Sequence, residues 1–391
     1  MGRSWGLVAL AVLAVASKSR AACDDIDQYL SIPSPLTEDI VLDLDDVSEI
    51  VCEEIDDDGQ SLEEVIVDGA YTVTLRSSNN VSFVNLGFTA TSGANLVFDM
   101  PNTNFGPNSE GFHRSSYQVS IVEIEEGAAA TFLGNVVAQD VSNCFSIFAN
   151  SGDLEIKGSA HFEDGSNVFR VNYGTVKFRG DATFKNHRYL AVQNEESGYF
   201  RFSKTVVFDN NAYNFDGAWG CSAANRGADA KIVFRGDVEF KNNDCGEGVA
   251  LYNEGTTNFY GKAYFNDNTN DYSGGAVSNY GSMKFSAAAQ FNNNDAGDSY
   301  GGGISVGSGD VTFKKSVTFD GNSAGSGAAF SVANGGVLTF EKPSVVRFRN
   351  GLLDDYQSGD DDGNCLIGYV VEGGTVVGFP GDDICDSADD Q

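Results

Sequence analysis

Gly248-Val-Ala-Leu-Tyr-Asn-Glu-Gly255 is followed by Phe259 and then by Phe265-Asn-Asp-Asn268, and the same order of pieces returns twice before Asn322. The second copy is Gly275-Ala-Val-Ser-Asn-Tyr-Gly281, Phe285 and Phe291-Asn-Asn-Asn294. The third is Gly303-Ile-Ser-Val-Gly307, Phe313 and Phe319-Asp-Gly-Asn322. Each copy holds a glycine-bounded apolar triplet, an alternating run ending in Phe, and a second alternating run ending in Phe and then Asn. Three short strands per unit, with turn residues between them, read as one coil of a β-solenoid, which needs no domain split because it grows along one axis.

Working outward, Ile156 and Phe162, Phe178 and Phe184, Phe202 and Phe208, and Phe234 and Phe240 extend the spacing of six residues. Successive second members are 22, 24, 32, 25, 26, 28 and 29 residues apart through Phe348, so the coil is constant and one connection varies. Strand alternation turns Val176, Phe178, Ala182 and Phe184 inward and Lys177 outward. Stacked coils then bring Phe onto Phe. Asn186, Asn211, Asn243, Asn268, Asn294 and Asn322 follow the second Phe, and Asn150, Asn172, Asn225, Asn253 and Asn279 stand two before a Gly. Both sets are expected to form corner ladders, because Asn tolerates αL geometry and can bond a neighbouring amide. Before Val141 the strands Tyr71–Leu75, Val81–Leu86, Leu96–Met100, Val119–Ile124 and Ala129–Leu133 read as two or three irregular coils. In 22–64, Ile40, Leu42 and Leu44 alternate as a strand, while Val47, Ile50, Val51 and Ile55 fit a helix face, so a helical or mixed cap is expected.

Gly274-Gly-Ala-Val277 and the Phe-x-x-Asn motifs at Phe208, Phe240, Phe265, Phe291 and Phe319 resemble the Gly-Gly-Ala-Ile and Phe-x-x-Asn repeats of polymorphic outer membrane proteins. These belong to the pectin-lyase-like right-handed parallel β-helix group. The resemblance covers about 142–350 and implies a surface or secreted protein used in adhesion. The bacterial members end in a membrane barrel, and no such segment is read here. The expected architecture is therefore all-β: a signal peptide over 1–21, an acidic N-terminal cap over 22–64, a right-handed parallel β-helix over 65–379 and an acidic tail over 380–391.

Leu7 to Ala16 is an apolar run of ten, preceded by Arg3 and followed by Ser19-Arg-Ala21, which fits signal-peptidase cleavage after Ala21 or Ala22. No later run is long enough to span a bilayer. The expected location is extracellular, where cysteines pair. The seven cysteines leave one over. Cys221 and Cys245 lie thirteen and fourteen residues before a Phe of consecutive coils, which predicts a bridge between them, the alternative being two free thiols carried apart by the loop before Cys221. Cys23 with Cys52 and Cys365 with Cys385 follow by elimination, with Cys144 as the odd thiol. Asn80-Val-Ser82 is the one glycosylation sequon, of use in a eukaryotic host.

Removing Arg3, Lys18 and Arg20 leaves 21 basic against 56 acidic residues, so the net charge of −32 becomes −35. That argues against nucleic acid and anionic membrane as partners. The acids concentrate at the ends, sixteen between Asp24 and Glu64 and eleven after Arg349. These are read as solvated ends or, alternatively, as collectors of Ca²⁺, although Asp56-Asp-Asp58-Gly and Asp360-Asp-Asp362-Gly both lack the closing Glu of an EF-hand.

Two outward columns can be written down: Glu155, Lys177, Arg201, Val233, Asn258, Lys284, Thr312 and Thr339, and His161, Thr183, Val207, Glu239, Tyr264, Gln290, Thr318 and Arg347. Neither carries the adjacent carboxylates that hydrolysis needs. His113, His161 and His187 lack metal spacing and are expected at the surface. Lys177, Arg179, Lys185, His187 and Arg188, with Arg201 and Lys204 one coil on, either balance neighbouring acids or grip an acidic polysaccharide. The expected function is non-catalytic binding of an extracellular polysaccharide or of a cell-surface or matrix component, with a divergent polysaccharide lyase or epimerase as the alternative.

Overall fold

The computed structural model describes residues 20–22, 39–51, 63–106 except 85, and 120–341 except 142–145, 166, 214–220, 246–249 and 271–273. It also describes 346–349, 368–370, 374–378 and 384–386. Among them there is no helix. Each coil visits three sheets in turn. Leu251–Asn253 lies in a first sheet, Thr256–Phe259 in a second and Ala263–Asn266 in a third, and Val277–Asn279 then returns to the first. Among the described residues these three sheets have 13 strands each, a small two-stranded sheet pairs Ala212–Tyr213 with Asp244–Cys245, and every strand pair is parallel, so the fold is a parallel β-solenoid.

Alternation explains why the coils close on a dry interior. In Thr256–Phe259 the burial pattern alternates to leave Thr257 and Phe259 inside, and in Ala263–Asn266 it leaves Ala263 and Phe265 inside. Parallel pairing in exact register lays equivalent rings on one another. Phe234, Phe259, Phe285 and Phe313 stack with centroids 5.1, 4.5 and 4.7 Å apart. A second column, Phe208, Phe240, Phe265 and Phe291, stacks at 4.6, 5.1 and 4.8 Å, and the two columns meet edge to face at 6.1 Å through Phe259 and Phe265. These distances suit aromatic pairs and match the inter-strand spacing of about 4.8 Å.

From Asn135–Gln139 to Val317–Asp320, each third-sheet strand is followed by a residue in αL. The residue there is Asp140, Asp164, Asn186, Asn210, Asn242, Asp267, Asn293 or Gly321, with φ between 52° and 64°. Only Gly, Asn and Asp take that conformation cheaply. One residue later the side chain points inward and forms a buried ladder: Asn211, Asn243, Asn268, Asn294 and Asn322. Each Nδ2 from Asn211 to Asn294 donates to the next Oδ1, and each of the five amides also reaches a Phe carbonyl of the preceding coil.

This ladder corrects two expectations. Asn186 belongs to the exposed αL column, and the buried position of its coil is held by His187, which is 1% exposed. His187 is therefore not a surface residue. Its backbone N–H donates to Asn211 Oδ1 at 3.1 Å, and its Nε2 lies 3.2 Å from Phe162 O, where the later coils place an Asn amide against the corresponding Phe carbonyl. In the first sheet the buried column runs through Asn150, Val171, Asn194, Asn225, Asn253 and Asn279, so Asn172 is not a member and Asn194 is.

The N-terminal expectation also changes. Ile40–Asp43, Glu49–Val51 and Glu63–Val67 are strands of the second, third and first sheets, and Leu42, Leu44, Val47 and Ile50 are buried in the common core. The helix-like spacing of Val47, Ile50 and Val51 arises because Val47 lies in the turn between two strands. Arg20–Ala22, at the expected cleavage site, pairs with Glu49–Val51. Between Glu63 and Gln139 the described strands form three coils, each visiting the three sheets in the same order. At the other end Ile384–Asp386 pairs with Gly368–Val370, so the solenoid continues into the expected tail.

Candidate binding surface

The two outward columns stand in register as read, from Glu155 beside Lys177 to Thr312 beside Thr339, and from His161 beside Thr183 to Thr318 beside Arg347. The expected basic strip is divided between two sheets. Lys177 and Arg201 are register partners on the second sheet, and Arg179 and Lys204 lie at the corner that follows it. Lys185 ends a third-sheet strand, and Arg188 is exposed in the turn beyond.

Neighbouring acids already engage part of the strip. Arg179 Nε lies 2.6 Å from Glu155 Oε1, and Lys185 Nζ lies 2.6 Å from Glu163 Oε1. The Lys185 hydrogen bond, helped by His161 at 3.2 Å, holds the Glu163 carboxyl below its ordinary range, and Glu163 in turn raises the Lys185 ammonium. These partly exposed pairs contribute little stability.

The first sheet carries a third outward column, supplied by the middle of the apolar triplets: Thr89, Glu123, Ala149, Arg170 and Gln193. Ala149 separates Glu123 from Arg170 by two inter-strand steps, about 10 Å. Its short methyl side chain leaves a hollow between an acid and a guanidinium. Around that hollow is a groove of about 1120 Å³, walled by Glu125, Glu126, Asn172 and Tyr173. Arg170 Nε lies 3.1 Å from Glu195 Oε2, which orients the guanidinium, and the Tyr173 residue is 62% exposed. Glu125 is tied back by the Ser92 N–H at 3.3 Å. The side-chain oxygens of Asn150 and Asn172, both on the groove, have no hydrogen-bond donor among the described residues.

None of Glu123, Arg170 and Tyr173 figured among the expected site residues. The signal was present, because the middle residue of each triplet must face outward if its neighbours face in.

Asn80 is exposed, with its Oδ1 accepting from Asn102 Nδ2 at 2.6 Å. Cys221 is buried, its Sγ 3.3 Å from Asn211 O. Cys245 is in register with Tyr213, eight residues before Cys221, so the two cysteines are not register partners. Cys23, Cys52, Cys144, Cys365, His113 and the acidic runs 56–58 and 360–362 lie outside the described residues, as does the side chain of Cys385. Comparison with protein-family models, curated proteins and solved structures finds no match, so the polymorphic outer membrane protein repeat rests on its motifs, and what the structure shows is the parallel β-solenoid.

Proposed function

We propose that the chain is a secreted, non-catalytic β-solenoid that binds extracellular glycan or matrix through its outer faces. The groove over Ala149 is the observation that carries this reading. Its exposed Tyr173 ring offers a face on which the C–H side of a sugar ring can stack. Arg170 supplies donors, and Glu123, Glu125 and Glu126 supply acceptors, for sugar hydroxyls. The excess of carboxylates selects neutral or amino sugars over uronates at this site.

A glycan-array screen is expected to return neutral or amino-sugar chains. Tyr173→Ala is expected to weaken them about 5- to 10-fold, the equivalent of ~1 kcal/mol for one aromatic contact. An array without hits would remove the reading. Release of unsaturated or reducing ends from a polysaccharide, abolished by Glu123→Gln or Arg170→Gln, would replace it by a lyase or hydrolase.

We also propose that export is accompanied by a Cys221–Cys245 bridge. Although the two are not column partners, the Asn211 carbonyl that packs on Cys221 Sγ also accepts from the Asp244 N–H at 3.0 Å, one residue before Cys245. Non-reducing peptide mapping is expected to recover the two as one linked peptide. Recovery of Cys221 linked to Cys144, or alkylated without reduction, would refute the pairing.

A further inference from the structure

In a chain of net charge −32, one edge of the rod has the opposite sign. Over seven consecutive coils, from Asp153–Ile156 to Asp310–Phe313, the second-sheet strands and the three residues after each carry eleven Lys or Arg and five Asp or Glu. The corner residues are stacked by backbone bonds from coil to coil. Arg179 N donates to Ile156 O, Arg235 N to Phe202 O and Lys314 N to Phe285 O, at 2.8 to 2.9 Å. Lys157, Arg179, Arg235 and Lys314 therefore share one column. Where that column carries Ser203 or Tyr260, Lys204 or Lys262 follows within two residues. The remaining coil, with Ser286, has Lys284 on its strand. Every coil of the seven thus presents at least one cation along this edge.

The acids of the same edge are largely committed. Asp181 accepts from Thr205 N at 3.0 Å and Asp237 from Lys262 N at 2.8 Å, while Glu155 pairs with Arg179. Lys157, Lys204 and Lys262 are exposed. Glycines at the corner keep the cations close: a Cβ on Gly261 would lie 2.2 Å from Gly236 O, so only glycine lets these coils approach. Arg235 lies over the ring of Tyr260 at 4.4 Å from its centroid, and the Tyr260 residue remains 47% exposed.

We infer that this edge is a second binding site, separate from the groove, for a linear polysaccharide bearing one carboxylate or sulfate per sugar and lying along the rod axis. The step between cations is one coil, about 4.8 Å, close to the length of one residue in an extended glycan chain. Salt screens charges beyond about 8 Å at physiological ionic strength, so acids farther away on the rod do not cancel the local field. Nucleic acid fits less well. Sequence-tolerant single-strand binders stack successive bases on aromatic side chains, and on this edge, among the described residues, Tyr260 is the one large exposed aromatic side chain.

The test is calorimetric titration of the full chain with size-fractionated polygalacturonate and dextran sulfate, which separate the carboxylate from the sulfate source, and with uncharged dextran and single-stranded DNA. Affinity for one or both of the anionic glycans is expected to rise with chain length, level off near about seven sugars, and fall with added salt. Lys157→Gln, Lys204→Gln and Lys262→Gln combined are expected to lower it at least about tenfold, while the corresponding triple Arg variant retains it. Lys185→Gln with Lys241→Gln, on the third sheet, is expected to change it less than about twofold. Length-independent affinity, an unaffected triple Gln variant, equal binding of dextran, or tighter binding of DNA would each overturn the proposal. Groove binding is read separately, through neutral or amino sugars and Tyr173→Ala, so either site can fail without the other.

Discussion

Asn268→Leu is expected to lower the unfolding free energy by about 2–6 kcal/mol, although the new side chain has the same γ-branched outline and the same number of heavy atoms. Asn268 Oδ1 accepts from the Asn243 backbone N–H at 3.3 Å and from its Nδ2 at 2.8 Å. Asn268 Nδ2 donates to Asn294 Oδ1 at 2.8 Å and to Phe240 O at 3.2 Å. Leucine removes all four bonds from a fully buried site and leaves the Asn243 N–H and the Phe240 carbonyl to find partners. Each buried group stranded in this way costs roughly 1–3 kcal/mol. The control is Asn293→Gly, at the exposed αL position, where Gly321 already serves the next coil with φ 64°. It should shift stability by less than about 0.5 kcal/mol. Similar losses for the two variants in denaturant melts would show that the inner ladder does not carry the corner.

Phe265→Ala is expected to cost about 3–5 kcal/mol. Phe265 is fully buried, stacked on Phe240 at 5.1 Å and on Phe291 at 4.8 Å, and set edge-on against Phe259 at 6.1 Å. Truncation would open a cavity in the middle of the aromatic column. The flanking coils, held by backbone pairing on both sides, could close it only by breaking register with their own neighbours. Thr318→Ala, on the outer face of the same sheet, should cost well under about 1 kcal/mol. In a solenoid each coil leans on its two neighbours, so the loss at Phe265 is also expected to sharpen into a separate early transition of the C-terminal coils. Denaturant unfolding followed by two probes checks both statements, and equal losses at Phe265 and Thr318 would mean that the strand faces are reversed.

Periodic side chains made the fold readable. Two strands ending in Phe six residues apart can bury their aromatic rings together only by stacking coil on coil, and the αL turn that follows accepts Asn, Asp or Gly for steric reasons alone. The outward columns of the second and third sheets were legible for the same reason. Reading failed where register depends on contacts that sequence spacing does not report. His187, which lacks metal spacing, reads as a surface residue, yet it keeps the ladder position three residues after Phe184, and its ring nitrogen meets the Phe162 carbonyl where later coils use an amide. Cys221 and Cys245 read as column neighbours when counted from Phe, whereas the strand register pairs Cys245 with Tyr213.

Local composition and period thus determined the coil, its inward and outward faces and the αL corner, because each follows from alternation and backbone sterics within one repeat. The groove over Ala149, and the extension of the Lys177, Arg179, Arg201 and Lys204 cluster into a continuous cationic edge from Lys157 to Lys314, were decided by tertiary structure. Their residues lie one or more coils apart in sequence and become neighbours solely because parallel strands stack them at about 4.8 Å.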